Sequence, residues 1–278
     1  MGAHLDMEKY VLSDAQKRDF FEKGLATLDN LLTEEEVAEI EAVYNRFMSR
    51  EIHVPGKDFC DMSKPFDTKF EDYSIINCML PTKYHPPLEG NIYERLAATV
   101  AAQLFPDTPM AKDYDQLLNK RPGKADAVFG WHQDMAYWPN TKMTPLTTTV
   151  TFSLAIDSTS EASGCLRYVP GSGKPKTLRP HHALGSSRDD AHALQAEMYD
   201  TDEVVLAPVP RGSVTIHDEW VVHRSDGNTS SGECRTYVIA YRADETIKLE
   251  RAAGFTHSLN DRVGWDTFHT HHSSDYRP

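Results

Sequence analysis

Hydrophobic positions along the chain change period near residue 113, from helical spacing before it to strand-like alternation after it. Ser13 with Gln16, and Thr33 with Glu36, have the spacing of a capping box, in which two side chains satisfy the free amides at a helix start. They predict helices from about Asp14 to Glu22 and from about Glu34 to Ser49. The second helix gathers Val37, Ile40, Val43, Tyr44 and Phe47 on one face. Between them, Leu25 to Leu31 reads as a short strand entering a turn. Asn91 to Phe105 reads as a third helix, with Ile92, Leu96, Val100 and Leu104 in phase and Pro106 as its stop.

Residues 51–90 have no sustained period and are rich in Pro, Asp, Lys and aromatics. The segment is too long for an ordinary connector, so a lid or substrate loop is expected, with a floppy insertion as the alternative. Beyond residue 113, Tyr114–Asn119, Ala127–Trp131, Thr147–Ile156, Cys165–Val169, Glu203–Leu206, Ser213–Ile216 and Thr236–Arg242 are β-branched or alternating runs. Gly, Pro, Asp and Ser break them apart. Helices first and strands after predict a mainly β fold with flanking helices: a jelly roll, or cupin-like double-stranded β-helix, braced by N-terminal helices. Residues 8–250 are expected to form one domain and 251–278 a C-terminal extension, whose last stretch, Trp265–Pro278, reads as a solvated end despite three histidines. Met1-Gly2-Ala3-His4, with a second methionine at Met7, reads as an expression scar.

Composition narrows the partners. At 278 residues, 40% hydrophobic and 26% charged, the chain can bury one sizeable core without disulfides. A net charge of −13 argues against nucleic acid and anionic membrane as partners. It leaves a small acid open, because one buried arginine can hold it. Cys60, Cys78, Cys165 and Cys234 lack CxxC spacing, which argues against a zinc knuckle or a disulfide framework and fits a reducing cytoplasm. No run approaches the roughly 18 apolar residues of a membrane helix, and no signal-peptide pattern is visible. The expectation is a cytoplasmic protein acting on a small molecule, as a monomer or homodimer.

The segment Trp131-His132-Gln133-Asp134 carries the chemistry. On a strand, alternate residues face one side, so His132 and Asp134 point together. His223, in Val221-Val222-His223-Arg224-Ser225, is the candidate third ligand. Two histidines and a carboxylate on one face of iron leave positions open for a co-substrate and dioxygen, which closed zinc sites do not. Arg235 follows His223 by twelve residues. Its planar fork suits the far carboxylate of a keto acid such as 2-oxoglutarate, and Ser225 could add a hydrogen bond.

These residues resemble the phytanoyl-CoA dioxygenase family of 2-oxoglutarate oxygenases, over about Leu12 to Asp244. Phe20-Phe21-Glu22-Lys23-Gly24 through Leu31-Leu32-Thr33-Glu34-Glu35-Glu36 is similar to that family's opening. Asp115 through Gly123, then Trp131-His132-Gln133-Asp134 and Tyr137-Trp138-Pro139, is similar to its metal-binding half. Ser163-Gly164-Cys165-Leu166-Arg167 with Pro170-Gly171-Ser172 is similar to its central turn, and His217, His223, Ser225 and Arg235 to its closing half. The resemblance implies iron(II), 2-oxoglutarate and dioxygen, with His132, Asp134 and His223 as ligands and Arg235 with Ser225 as the 2-oxoglutarate anchor. Two departures stand out. Ser153 aligns where many members carry a large aromatic, which widens the expected pocket, and Gly173-Lys174 stand where a histidine often follows the turn. Asp134 in place of Gly or Ala disfavours a halogenase.

The remaining candidates have two readings each. Gln116 either reaches the co-substrate or fills core, and Tyr137 with Trp138 either lines the pocket mouth or packs in the core. Gln133 is counted with Ser153 and Tyr137 as a pocket residue. His217 reads as a buried, hydrogen-bonded structural histidine, and His181 and His182 as surface residues. Lys120 and Arg121 either attract an acidic substrate or form a solvated pair. The default reaction is hydroxylation of an unactivated C–H bond, with cyclisation, desaturation or epimerisation as alternative outcomes. A cupin-like metalloenzyme without 2-oxoglutarate, or an inactive scaffold, remains from other classes.

Overall fold

Both capping boxes start helices at the places their spacing indicates. Ser13 Oγ accepts from the amide of Gln16, and Thr33 Oγ1 from that of Glu36, while each partner side chain reaches back to the cap amide. A computed structural model describes residues 10–139, 148–183 and 193–261. The elements run α1 (Asp14–Lys23), β1 (Leu25–Leu28), α2 (Glu34–Met48), β2 (Phe59–Asp61), β3 (Ile75–Met79), α3 (Pro81–Tyr84), α4 (Ile92–Leu104) and β4 (Met110–Lys120). They continue with β5 (Phe129–His132), β6 (Thr149–Ala155), β7 (Leu166–Val169), β8 (His181–Ala183), β9 (Leu194–Ala196), β10 (Val205–Ala207), β11 (Val214–His217), β12 (Val222–Ser225), β13 (Cys234–Ala243) and α5 (Asp244–Ala252). Gly24 ends α1 in the left-handed region (φ 83°), and a Cβ there would lie 2.8 Å from Val221 Cβ, so glycine is needed twice over.

Two antiparallel sheets make the expected jelly-roll core: one in the order β1-β11-β6-β13-β4-β3-β2, the other β10-β7-β12-β5. Alternation sorts the large sheet into two faces. Leu117, Phe152, Leu154, Val214, Ile216, Tyr237 and Ile239 point outward and bury the apolar stripes of α2 and α4, including Ile40, Phe47, Leu96 and Val100. The opposite face carries Gln116, Lys120, Thr151, Ser153, Thr215 and Thr236, which look across a cavity toward the small sheet. Polar side chains on an inward face leave room rather than filling it, and that room is the site.

Residues 51–90 are not a floppy insertion. β3 pairs along β4 and β2 along β3, widening the large sheet, and no residue of this segment lines the cavity. Asp58 explains its order: the buried carboxylate accepts from Tyr84 Oη (2.6 Å), Ser258 Oγ (2.7 Å) and the amide of Leu259 (2.6 Å). Within the segment expected to be a lid, β2 and β3 form the edge of the large sheet. The same bonds draw in the start of the expected extension, where Phe255, His257 and Ser258 are buried. The three tail histidines, and the leading residues 1–9, lie outside the described residues. All four cysteines are buried and unpaired, as the missing CxxC spacing implies. Among the described residues no helix is long and apolar enough to cross a membrane.

Asp115 gives the fold a pH signature. Burial pushes its carboxyl up to about 6, although it accepts from Thr82 Oγ1 and Tyr237 Oη, both at 3.1 Å. Between the ordinary carboxylate value near 4 and about 6, the folded chain binds a proton that the unfolded chain has released. Stability from this group therefore falls as pH rises through that window and is flat above it. Asp115→Asn, which keeps an acceptor for Tyr237, removes the slope. Urea unfolding at about pH 4 and about pH 7 should show wild type losing up to about 3 kcal/mol relative to the variant. Parallel profiles would mean Asp115 ionises normally.

Candidate metal centre and its cavity

β12 pairs antiparallel with β5 and sets His223 opposite His132, with ring centroids 4.2 Å apart. Gln133 keeps the chain extended (φ −115°, ψ 135°), so Asp134 returns to the His132 side before a 3-10 turn carries the chain away. Asp134 Oδ1 lies 3.7 Å from His132 Nε2 and 3.6 Å from His223 Nε2. One ligand atom from each of the three residues falls within 4.8 Å of the others.

The hydrogen bonds around these groups fix what they can do. His132 Nδ1 lies 2.8 Å from the Gly130 carbonyl, and His223 Nδ1 3.0 Å from the Val221 carbonyl. A carbonyl only accepts, so both Nδ1 atoms carry the proton and both Nε2 lone pairs are free. Burial lowers the pKa of both rings, keeping them neutral. Burial alone would raise Asp134, but the bond from His217 and the surrounding imidazoles hold it below the usual carboxylate range. Asp134 Oδ2 accepts from Thr151 Oγ1 (3.0 Å) and lies 3.2 Å from His217 Nε2. Tyr168 Oη lies 3.2 Å from His217 Nδ1, which completes a chain that sets the His217 tautomer. Two neutral imidazoles and a carboxylate, each with a free donor atom on one spot, are the donor set and protonation state of a two-histidine, one-carboxylate metal site with open positions. Asp113, Glu250 and His257 also converge, but Arg242 lies among them, 2.8 Å from Asp113 and 2.6 Å from Glu250. That cluster is a neutralised ion network tying α5 to the sheet.

The triad opens onto a cavity of about 140 Å³ between the sheets. Leu118, Phe129, Leu166, Val209 and Val238 make its apolar walls. Ser153, Gln116 and Ser225 line it, as expected of them. Gln116 Nε2 donates to Asn77 Oδ1 at 2.5 Å, so one end of its amide is already engaged. His217 is the buried, hydrogen-bonded residue foreseen, and its partner turns out to be Asp134.

Five placements differ from expectation. Arg235 does not reach the cavity: Cys234, Thr236 and Val238 take the inward positions of β13, so Arg235 faces α2. Its guanidinium is held by Asp157 (2.7 and 2.8 Å), Glu41 (2.6 Å) and Asn45 (2.8 Å). Gln133 also points away, its amide donating to Thr177 and Trp220 carbonyls and accepting from the Arg179 amide. It braces the strand instead of lining the pocket. Tyr137 packs with Met135 and Trp138, and its hydroxyl accepts from the Leu194 amide at 2.7 Å, so the core reading holds. His181 is half-buried rather than on the surface, accepting from the Gln133 amide at 3.2 Å, and burial pushes it down to about 4. Lys120 is not solvated. It lies on the inward face of β4, 6% exposed, with Nζ 2.7 Å from Ser225 Oγ and also donating to the Asp226 carbonyl. Its even-numbered phase with Gln116 and Leu118 was the signal that it faces the cavity.

The sequence model described as "Phytanoyl-CoA dioxygenase (PhyH)" matches residues 20–236. A "probable alpha-ketoglutarate-dependent hypophosphite dioxygenase" of Stutzerimonas stutzeri is 24% identical over 240 residues, covering 84% of this chain and 80% of that protein. Among solved structures, EvdO2 from Micromonospora carbonacea var. aurantiaca complexed with 2-oxoglutarate superposes with a TM-score of 0.67 at 23% identity, over 84% of this chain and 92% of that one. The epimerase SnoN in complex with Fe3+, alpha ketoglutarate and nogalamycin RO gives 0.61 at 17% identity, over 82% of each chain. At these identities the structural likeness is one of fold.

The position of Arg235 makes it a fastener between α2 and β13. Arg235→Leu strips Asp157 and Glu41 of a shared partner and should lower unfolding free energy by about 1–3 kcal/mol. Thermal unfolding measures this, and an unchanged midpoint would mean the ion cluster holds nothing.

Proposed function

Since this chain belongs to the phytanoyl-CoA dioxygenase family, we propose that it is an iron(II)- and 2-oxoglutarate-dependent oxygenase that uses dioxygen to oxidise an unactivated C–H bond of a small molecule. His132, Asp134 and His223 are the metal ligands in this reading. What carries it is the convergence of two free Nε2 lone pairs and one carboxylate oxygen within 4.8 Å at the mouth of an apolar cavity. Iron held there supplies the oxidising power, coupled to decarboxylation of 2-oxoglutarate to succinate.

The chain's own contribution is orientation and dryness. The Gly130 and Val221 carbonyls lock the two imidazoles in the donor tautomer. Thr151 and His217 hold Asp134 Oδ2 and leave Oδ1 facing the histidines. Leu118, Phe129 and Val238 keep water from the reacting carbon, and the inner Thr and Ser positions leave volume for ligand.

The substrate is a small secondary metabolite or amino-acid-derived compound in this reading. A CoA ester, itself polyanionic, suits a chain of net charge −13 poorly. The relatives' names span hypophosphite, nogalamycin RO and phytanoyl-CoA, so the preference rests on the charge. Hydroxylation is the default outcome. The epimerase among the structural neighbours has the same overall fold, so epimerisation, and with it cyclisation or desaturation, are the alternatives with the same cofactors.

His132→Ala removes one of three ligands. It should abolish succinate formation from 2-oxoglutarate and lower the iron content of protein purified and reloaded without oxygen. Succinate formed at the wild-type rate by the variant would rule out the triad.

A further inference from the structure

We infer that Lys120, with Ser225 beside it, receives the far carboxylate of 2-oxoglutarate, in the place where an arginine was expected. This deepens the reading of the site given above and rests on it.

The case begins with a buried cation that has no counter-ion. Lys120 is 6% exposed, and its amine donates to a hydroxyl and a backbone carbonyl, Ser225 Oγ and Asp226 O, with the Phe129 ring 5.9 Å away. Among the described residues no carboxylate lies within ion-pair distance of its amine. The Asp226 carboxylate, whose field reaches the amine, is engaged by Arg167 at 2.7 Å and by Arg224. Burying an ammonium without an anion is costly, so native proteins do it where a ligand brings the charge. Burial pushes the amine down to about 8, which still leaves it charged at neutral pH.

The amine is also in the right place. Lys120 sits across from Cys234 on β13, and Cys234 is the inward-facing neighbour of the outward-facing Arg235. Its contact Ser225 is two residues beyond His223 on β12, about 6–7 Å along the strand. A keto acid bound through one end beside His223 can then reach Lys120 only if it carries a second carboxylate several carbons away. Gln116, Leu118 and Val238 form the wall along that path. The arginine that does line the cavity, Arg224, is stacked 5.4 Å over the Trp131 ring and paired with Asp226, so its charge is already matched.

The test is an anaerobic titration of iron(II)-loaded protein, following the visible charge-transfer band of the keto-acid chelate. Two keto acids are compared: 2-oxoglutarate, and pyruvate, which lacks the far carboxylate. Lys120→Met should raise the 2-oxoglutarate concentration needed for half-saturation by about 10- to 100-fold and leave the pyruvate titration unchanged. Arg235→Leu should leave both unchanged. Lys120→Gln serves as a second variant if methionine disturbs the fold, with the same expectation. Lys120 variants that bind 2-oxoglutarate like wild type would overturn the assignment while leaving the cofactor reading intact. Wild-type protein that binds iron and shows no band with 2-oxoglutarate would overturn both.

Discussion

Pairing between β5 and β12 sets His132 directly across from His223, and a slip of one residue would turn a ring out of the cavity. Three features oppose that slip. β12 is flanked on its other side by β7, Gln133 has its amide pinned at both ends by backbone groups, and Asp134 is tied to Thr151 and His217 on the facing sheet. The two sheets are thus joined at the site itself. A carboxylate from the small-sheet side is held by side chains of β6 and β11 in the large sheet. Loss of either partner would affect position before it affected charge.

The large sheet divides its labour by face. Outward side chains are bulky and apolar and bury the helices; inward ones mix polar groups such as Thr151, Ser153 and Thr215 with Leu118 and Val238, and line the open space. That arrangement gives up core packing on one side, and the loss is offset by the helices on the other. The C-terminal residues 255–259 and the segment around Asp58 brace the far edge in the same way, by joining two stretches distant in sequence through one buried carboxylate.

Much of this was legible in the sequence. Capping boxes, the three long helices, most strands and the shared side of His132 and Asp134 follow from short-range periodicity, whereas His223, far along the chain, joins them through the family resemblance. What failed was phase across a gap. A count of twelve from His223 to Arg235 crosses a turn, and a turn of unknown length does not say which face the next strand presents. β13 gives no help, since Tyr237 and Ile239 on one face and Val238 on the other are all hydrophobic. Lys120 was readable by parity with Gln116 but looked like a loop residue beside Arg121 and Pro122. β2 and β3 escape the pattern because Asp61 within β2 and Asp58 just before it are satisfied by partners elsewhere in the chain. Asp61 accepts from the amides of Ser74 and Ile75, which no local pattern announces.

The bonds to Asp134 Oδ2 bear on denticity. A carboxylate can clasp a cation with both oxygens, and a flexible one changes between the two modes as other ligands come and go. Here one oxygen is already committed to Thr151 and His217. A metal held at the proposed site would meet a one-armed acid, with three atoms supplied by His132, Asp134 and His223. Thr151 and His217 would thereby leave the other positions to what arrives from the cavity, without being ligands themselves.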